Sequence, residues 1–536
     1  MAGGSEPRRQ RWRGSARVPP RAHAQATPEK AACVFADATA GQAPVLNYAA
    51  LESAANRGAQ ALRRLGLARG EGMALMLDNT AEVFTIGWAA ERAGLYCTSI
   101  STRLSPADAA YIVADSGARV LVVSDRLAPL ASRIAQALAA QGHTGATVML
   151  AGAGEAGLPG WAPLVAAMPD APIADESPGT DMLYSSGTTG RPKGVKPALP
   201  TGALGDPTPL LRMGQALYGM DGDTVYLSTS PLYHAAPLRW AMTIQRLGGT
   251  VVVMDKFDAQ SALALVARWR VTHGTWVPTH FVRLLKLDPD QRAAHDLSSM
   301  RAAIHAGAPC PVAVKQAMID WWGPIVHEYY SGTEMCGITA LSAHEWLAHP
   351  GSVGRAVLGD VHILDDNGEE LPTGTPGNVH FANGPAFAYH NDPAKTAAAL
   401  SPQGWATLGD IGYLDAEGFL YLTDRKHFMI ISGGVNIYPQ EIENHLITHP
   451  AVADVAVVGA PDADLGEVAV AVIQPAPGVA ADEALAARLI AETRAALGPI
   501  KTPKRVLFRS ALPREPTGKL LKASLIAELR EAAPVG

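Results

Sequence analysis

From Leu46 onward the apolar positions switch repeatedly between a helical and an extended period. A stretch near 48–65 places apolar residues three or four apart and predicts an amphipathic helix. GMALML follows as a strand, then an apolar helix near 80–93, the strand YCTSI, a helix opened by SPAD at 105, and the strand ARVLVVSD. The alternation resumes with TVYLSTS, GTVVVMD, a helix near 259–269 and THGTWVP. β-Branched runs separated by helical patterns of about 10–15 residues predict a layered α/β fold built on parallel sheet.

Near 415–430 the pattern changes. DAEGFLYLTDRK predicts a hairpin and an exit strand, and beyond it lies a smaller unit. Its first helix opens at Pro439, where the missing N–H costs nothing, and stops before Pro450. The strands DVAVVG and EVAVAVIQ, an alanine-rich helix over 481–497, the strand KRVLF and a last helix from 520 complete it. The expected organisation is a large multi-sheet α/β body over 25–425 and a small, mobile α+β domain over 426–536, with the boundary at Arg425–Phe428. Residues 1–24 hold six arginines and one acid without an apolar segment, which excludes a secretory signal and predicts a disordered basic tail.

Composition narrows the function classes. The chain has 536 residues, 48% hydrophobic and 18% charged, long enough for at least two cores and ordinary for a globular protein. Its net charge of −6, with acids and bases interspersed, offers no basic face for nucleic acid. No apolar run approaches the length of a transmembrane helix. Cys33, Cys97, Cys310 and Cys336 are far apart with no metal-type spacing, so they read as buried small hydrophobes in a reducing, cytoplasmic setting.

The most informative segment is 184–195, YSSGTTGRPKGV. Four hydroxyl side chains, three glycines and two cations are too polar for a core and too glycine-rich for a helix. Bare backbone N–H groups and hydroxyls, with Arg191 and Lys193 close behind, suit the wrapping of phosphate oxygens. The common GxxxxGK[ST] loop does not fit, because Gly187, Gly190 and Lys193 fall at i, i+3 and i+6.

This word closely resembles the phosphate loop of the adenylate-forming superfamily, which includes acyl-CoA synthetases, peptide-synthetase adenylation domains and luciferases. Six further words resemble that superfamily's motifs in its order: PLYHAAP (231–237), HAGAP (305–309), YYSGTE (329–334), GWATLGDIG (404–412), TDRKHFMIISGGVNIYPQEIE (423–443) and LPREPTGKLLK (512–522). The resemblance spans about residue 25 to about residue 530.

The resemblance implies a set of site residues. Ser185, Ser186, Gly187, Thr188, Thr189, Gly190 and Lys193 would hold the phosphates of ATP, with Thr188 also serving catalysis and the metal. Gly307, Ala308 and Pro309 would present backbone to a purine beside the flat ring of Tyr330. Thr333 would meet the α-phosphate, and the Glu334 carboxylate would hold Mg²⁺ as a hard oxygen ligand. Asp410 has two oxygens to match the two hydroxyls of a ribose, and Arg425 would lie near ribose and phosphate. Gly433 and Gly434 would line the tunnel for the pantetheine of coenzyme A, and His234 would gate the acid pocket, where Leu238, Trp240, Met335 and Cys336 suggest apolar walls. Lys519 is the main catalytic candidate. Its ammonium would relieve the repulsion between an incoming carboxylate and an α-phosphate as charge builds on phosphorus.

Three departures stand out. Ser331 occupies the family's usual glycine, His427 stands at the hinge position usually held by Asp or Lys, and KPALPTGALGDP lacks the Thr/Ser-His that often follows the phosphate loop. The implied activity is that of an acyl-CoA synthetase, most like the fatty-acid type, using ATP, Mg²⁺ and coenzyme A on a hydrophobic carboxylic acid. Fatty, aromatic and steroid side-chain acids all remain open, as does a homodimer. The alternatives are an adenylation enzyme loading a carrier protein, a luciferase-like oxygenase, or a non-catalytic nucleotide-binding member.

Overall fold

The β-branched runs of the first half assemble into parallel sheet. In the computed structural model, which describes residues 19–36, 43–185, 192–425, 428–462, 464–514 and 520–531, one five-stranded sheet is parallel throughout. Its order is Thr147–Leu150, Ala118–Val123, Gly72–Met76, Tyr96–Ser99 and Thr180–Asp181. Gly72–Met76 is buried at every position, as expected of a strand covered on both faces.

A second, thirteen-stranded sheet forms the spine of the body. Its parallel half runs Ala31–Ala36, Thr250–Met254, Val225–Ser228, His273–Trp276, Ala302–His305, Val326–Tyr330. From Val326–Tyr330 it continues antiparallel through Ile338–Leu341, Ser352–Leu358, Leu420–Arg425, Ala406–Leu414, Gly377–Ala382 and Asp360–Leu364. The hairpin expected around DAEGFLYLTDRK is the Ala406–Leu414/Leu420–Arg425 pair. The other antiparallel strands carry little sequence signal. Ser352–Leu358, for example, buries its first three residues and exposes the next three, so no single period marks it.

Local chemistry places the helices close to where periodicity puts them. Tyr48–Arg64 starts at Asn47, whose side chain accepts from the Ala50 N–H, and Pro106–Asp115 starts at Ser105, which accepts from Asp108. Ala81–Arg92 and Ala259–Trp269 match the expected helices at 80–93 and 259–269. The fold begins before residue 25. Arg21–Ala26 is a short helix whose Arg21 pairs with Glu52 at 3.1 Å and Glu176 at 2.6 Å, while the remainder of the expected tail, 1–18, lies outside the described residues.

Beyond Phe428 the strands form a separate mixed sheet. Val452–Asp462 and Gly466–Pro475 pair antiparallel, and the other edge of Gly466–Pro475 takes Arg505–Phe508 in parallel and, at Gly466, the Ile430–Ser432/Val435–Ile437 hairpin. Strand alternation sends Val455 and Val457 toward helices Pro439–Leu446 and Glu483–Leu497, and Ala456 and Val458 toward Leu525 of helix Lys522–Glu531. This unit meets the body at two described places. Asp424 accepts from the Gln440 N–H at 3.0 Å, and the Lys286 ammonium donates to the Val452 and Ala453 carbonyls at 2.7 and 3.3 Å. Among the described residues no helix is long and apolar enough to cross a membrane.

Candidate active site

The two ends of the phosphate loop are tied together by a short hairpin. Leu183–Ser185 pairs antiparallel with Lys193–Val195, setting Ser185 opposite Lys193 and Tyr184 opposite Gly194. The pairing needs glycine at 194, since a Cβ there would come within 2.8 Å of the Tyr184 ring. The Tyr184 hydroxyl in turn donates to Asp115 at 2.6 Å, anchoring the hairpin to helix Pro106–Asp115. Ser186, Gly187, Thr188, Thr189, Gly190 and Arg191 lie outside the described residues.

Past this hairpin, Val195 bridges to Tyr389, and the Lys193 ammonium lies 5.3 Å from the centre of the Tyr389 ring. The Tyr389 hydroxyl donates to Glu334 Oε1 at 2.9 Å. One tyrosine therefore links the expected phosphate cation to the expected metal ligand. Sequence reasoning missed Tyr389; its only local signal was the helix opening Asp392-Pro393 just after it. Burial, followed by the Glu334 charge, raises the Tyr389 pKa and keeps its proton in place as a donor.

Strand Val326–Tyr330 delivers the next group. The Tyr330 hydroxyl donates to Asp410 Oδ2 at 2.6 Å, and Arg425 Nε meets Asp410 Oδ1 at 3.1 Å. Asp410 and Arg425 are direct cross-strand partners, so the sheet register itself sets this ion pair. Asp410 is only 6% exposed. Its charge raises the Arg425 pKa, while burial and then Asp410 raise that of Tyr330. The Tyr330 ring leans on Phe381 with centroids 6.1 Å apart. The structure thus brings Tyr330, Asp410 and Arg425 into one cluster.

The loop after this strand is stabilised by the serine that replaces the family's glycine. Ser331 Oγ donates to the Gly337 carbonyl at 2.8 Å and closes a ring around Thr333 and Glu334, in which Met335 takes a φ of 54°. From the other side Arg239 grips Asp181 through two hydrogen bonds of 2.6 and 3.0 Å and donates to the Thr333 carbonyl at 3.4 Å. Arg239 belongs to helix Ala235–Leu247, which His234 precedes as its N-cap residue; the His234 ring packs 4.7 Å from Tyr233.

Gly307, Ala308 and Pro309 form an exposed loop directly after strand Ala302–His305, with Gly307 at a φ of 85° that favours glycine. Gly433 and Gly434 are the exposed turn of the Ile430–Ser432/Val435–Ile437 hairpin, at φ of 55° and 80°. Lys519 and His427 lie outside the described residues. The expected apolar walls divide between two cores. Leu238 and Trp240 are buried in one beside Tyr218 and Tyr226, while Cys336 packs in another with Val353 and Phe381.

Residues 20–388 match the model of the AMP-binding enzyme family, and residues 441–519 match the AMP-binding enzyme C-terminal domain. Long-chain-fatty-acid–CoA ligase FadD13 of Mycobacterium tuberculosis is 34% identical over 502 residues, covering 91% of this chain and 94% of its own. Feruloyl-CoA synthase of an Amycolatopsis species is 33% identical over 490 residues, covering 90% and 93%. The solved structure of o-succinylbenzoate CoA synthetase from Bacillus subtilis, in complex with its acyl-adenylate intermediate, superposes with a TM-score of 0.77 at 27% identity, covering 94% of this chain and 96% of that one. Fold, motif order and these likenesses agree: the chain belongs to the AMP-binding enzyme family, within the adenylate-forming superfamily.

Proposed function

We propose that this protein is an AMP-forming acyl-CoA synthetase acting on a hydrophobic carboxylic acid. A carboxylate oxygen attacks the α-phosphorus of ATP, and the bond to the bridging oxygen breaks to release pyrophosphate. The sulfur of coenzyme A then attacks the acyl carbon, AMP leaves, and the thiol proton is given up. The observation that carries this reading is the Tyr330–Asp410–Arg425 cluster. It sets a carboxylate with two acceptor oxygens and a cation beside a tyrosine ring, which suits a ribose, its phosphate and a stacked base.

The triphosphate would lie between the 185–193 loop and Glu334. Lys193 supplies positive charge there, and Tyr389 orients both neighbours. The donor chemistry fits Mg²⁺. Among the described residues no group of three or more His, Cys, Asp or Glu forms a cage, and Mg²⁺ is commonly held by one or two carboxylates together with substrate phosphates. Glu334 provides such a carboxylate, with Thr188 as its expected neighbour, and the ion would supply charge neutralisation on the polyphosphate leaving group. His234 would sit at the mouth of the acid pocket. Lys519 would stand between the attacking and departing oxygens during the first step, and the Gly433–Gly434 turn would receive pantetheine in the second.

The test separates the two half-reactions. Lys519→Ala should lower acid-dependent pyrophosphate release by about 10²–10⁴-fold, the worth of a preorganised charge or proton donor. The same variant should still convert supplied acyl-adenylate and coenzyme A into thioester. Equal loss in both steps would remove Lys519 from its assigned role, and pyrophosphate release with no coenzyme A consumption would point to a carrier protein as acceptor.

A further inference from the structure

The helix that follows His234, the expected gate of the acid pocket, carries the first of three packed aromatic rings. Trp240 projects from helix Ala235–Leu247 and is fully buried. Its ring centroid lies 6.2 Å from that of Tyr329 and 5.9 Å from that of Tyr218, and its indole N–H donates to the Tyr329 hydroxyl at 3.3 Å. Tyr329 immediately precedes Tyr330, and Arg239, next to Trp240, reaches the Thr333 carbonyl. The rings therefore stand directly behind the residues proposed to receive the purine and the α-phosphate.

One of these rings, Tyr218, also borders open space. Tyr218 and His327, with ring centroids 5.6 Å apart, line a cavity of about 450 Å³ whose other walls include Leu217, Ala340 and Val357. Leu217 and Val357 are 42% and 47% exposed, and the Arg355–Glu345 ion pair at 3.3 Å shares its rim. Tyr218 thus borders both Trp240 and this cavity.

The barrier is packed tightly. Gly214, on helix Pro209–Tyr218, has no side chain to spare: a Cβ there would lie 3.2 Å from Trp240 Cζ3 and 2.9 Å from Met220 Sδ. The indole cannot swing toward that helix without displacing it. The buried Tyr218 hydroxyl has no hydrogen-bond partner among the described residues, so ring packing rather than a polar contact holds Tyr218 in place.

We propose that Trp240, backed by Tyr329 and Tyr218, is a partition that closes the acid pocket and separates it from this cavity. The substrate class follows: compact acids, with an aryl or short branched body, are accepted, and long straight-chain acids are excluded. This inference rests on the acyl-CoA synthetase reading. It also means that likeness to a long-chain ligase does not carry that enzyme's chain length to this protein.

The experiment measures kcat/KM for pyrophosphate release with phenylacetate and with straight-chain acids from butanoate to hexadecanoate, in wild type and Trp240→Ala. Wild type should favour phenylacetate over hexadecanoate by more than about 100-fold. Trp240→Ala should raise the hexadecanoate-to-phenylacetate ratio by at least about 10–200-fold, the scale at which an apolar pocket discriminates a methylene. Equal use of both acids by wild type, or an unchanged ratio in a folded Trp240→Ala protein, would overturn the partition. Tyr218→Ala, opening the same wall from the cavity side, serves if Trp240→Ala does not fold, and an unchanged ratio there counts equally against it. Calorimetric binding of sulfamoyl-adenosine conjugates bearing phenylacetyl or hexadecanoyl groups tests the wall without turnover. Conjugates that separate by length in wild type support the partition even if no acid releases pyrophosphate, a result that would sink the parent reading alone. Conjugates of equal affinity overturn the partition.

Discussion

Asp410 has two carboxylate oxygens, and both are engaged by protein groups, Tyr330 on one side and Arg425 on the other. A ribose diol placed there would bring two further donors to a carboxylate already fixed in orientation. Asp410→Ala should weaken ATP binding by about 1.5–3 kcal/mol, the worth of hydrogen bonds to a charged group. In that variant 2′-deoxy-ATP should bind nearly as well as ATP, because the lost acceptor no longer distinguishes them. Calorimetry with both nucleotides checks this, and a full deoxy penalty in the variant would detach Asp410 from the ribose. The carboxylate was legible in GDIG as a candidate, whereas the register that pairs it with Arg425 was not. Tyr389 was not, since nothing in a lone tyrosine after AFA announces contact with both Lys193 and Glu334. That contact joins residues 389, 334 and 193, and only the fold makes them neighbours.

At the scale of one element, strand Val326–Tyr330 shows how period-two alternation sorts chemistry. Glu328 faces helix Val312–Trp322 and is paired with the buried Lys315 at 2.6 Å, while His327 faces Tyr218. Burial, reinforced by the nearby Lys315 charge, pulls the His327 pKa down to about 4. An unfolded histidine titrates near about 6.5. Between those values the unfolded chain binds a proton that the folded chain refuses, so this group costs stability as pH falls from about 6.5 to about 4. The slope it adds is at most about 1.4 kcal/mol per pH unit. His327→Gln should destabilise the protein at pH 7 through lost packing, yet the gap to wild type should narrow at pH 5. Urea midpoints at both pH values measure this, and parallel shifts would show that His327 is protonated in the native state.

For the whole molecule, the proposed function asks one small domain to serve two reactions with two different segments. The Gly433–Gly434 turn and Lys519 are separated by over 80 residues within that domain, and its described contacts with the body are few, through Asp424 and Lys286. A rotation about the linker could therefore exchange the two segments. Residue 427, outside the described residues, is the expected pivot. Proline there would lock φ near about −65°, so His427→Pro should leave acyl-adenylate formation in place and reduce thioester synthesis by orders of magnitude. Pre-steady-state measurement of each half-reaction decides the point. Equal losses would move the pivot elsewhere.

What the sequence by itself determined was local or modular. Periodicity placed helices such as Ala259–Trp269 within a residue, because an amphipathic face and a capping side chain are written in consecutive positions. The word YSSGTTGRPKGV and its six companions carried the family, because each is a run of specific residue types at consecutive positions. Tertiary structure decided the rest. It set the antiparallel half of the great sheet, whose strands are short and irregularly buried. It joined Asp410 to Arg425 by register, brought Tyr389 between Lys193 and Glu334, and turned Trp240 against Tyr329 and Tyr218. Each of these pairings joins residues distant in sequence, and its energy depends on geometry that no local pattern encodes.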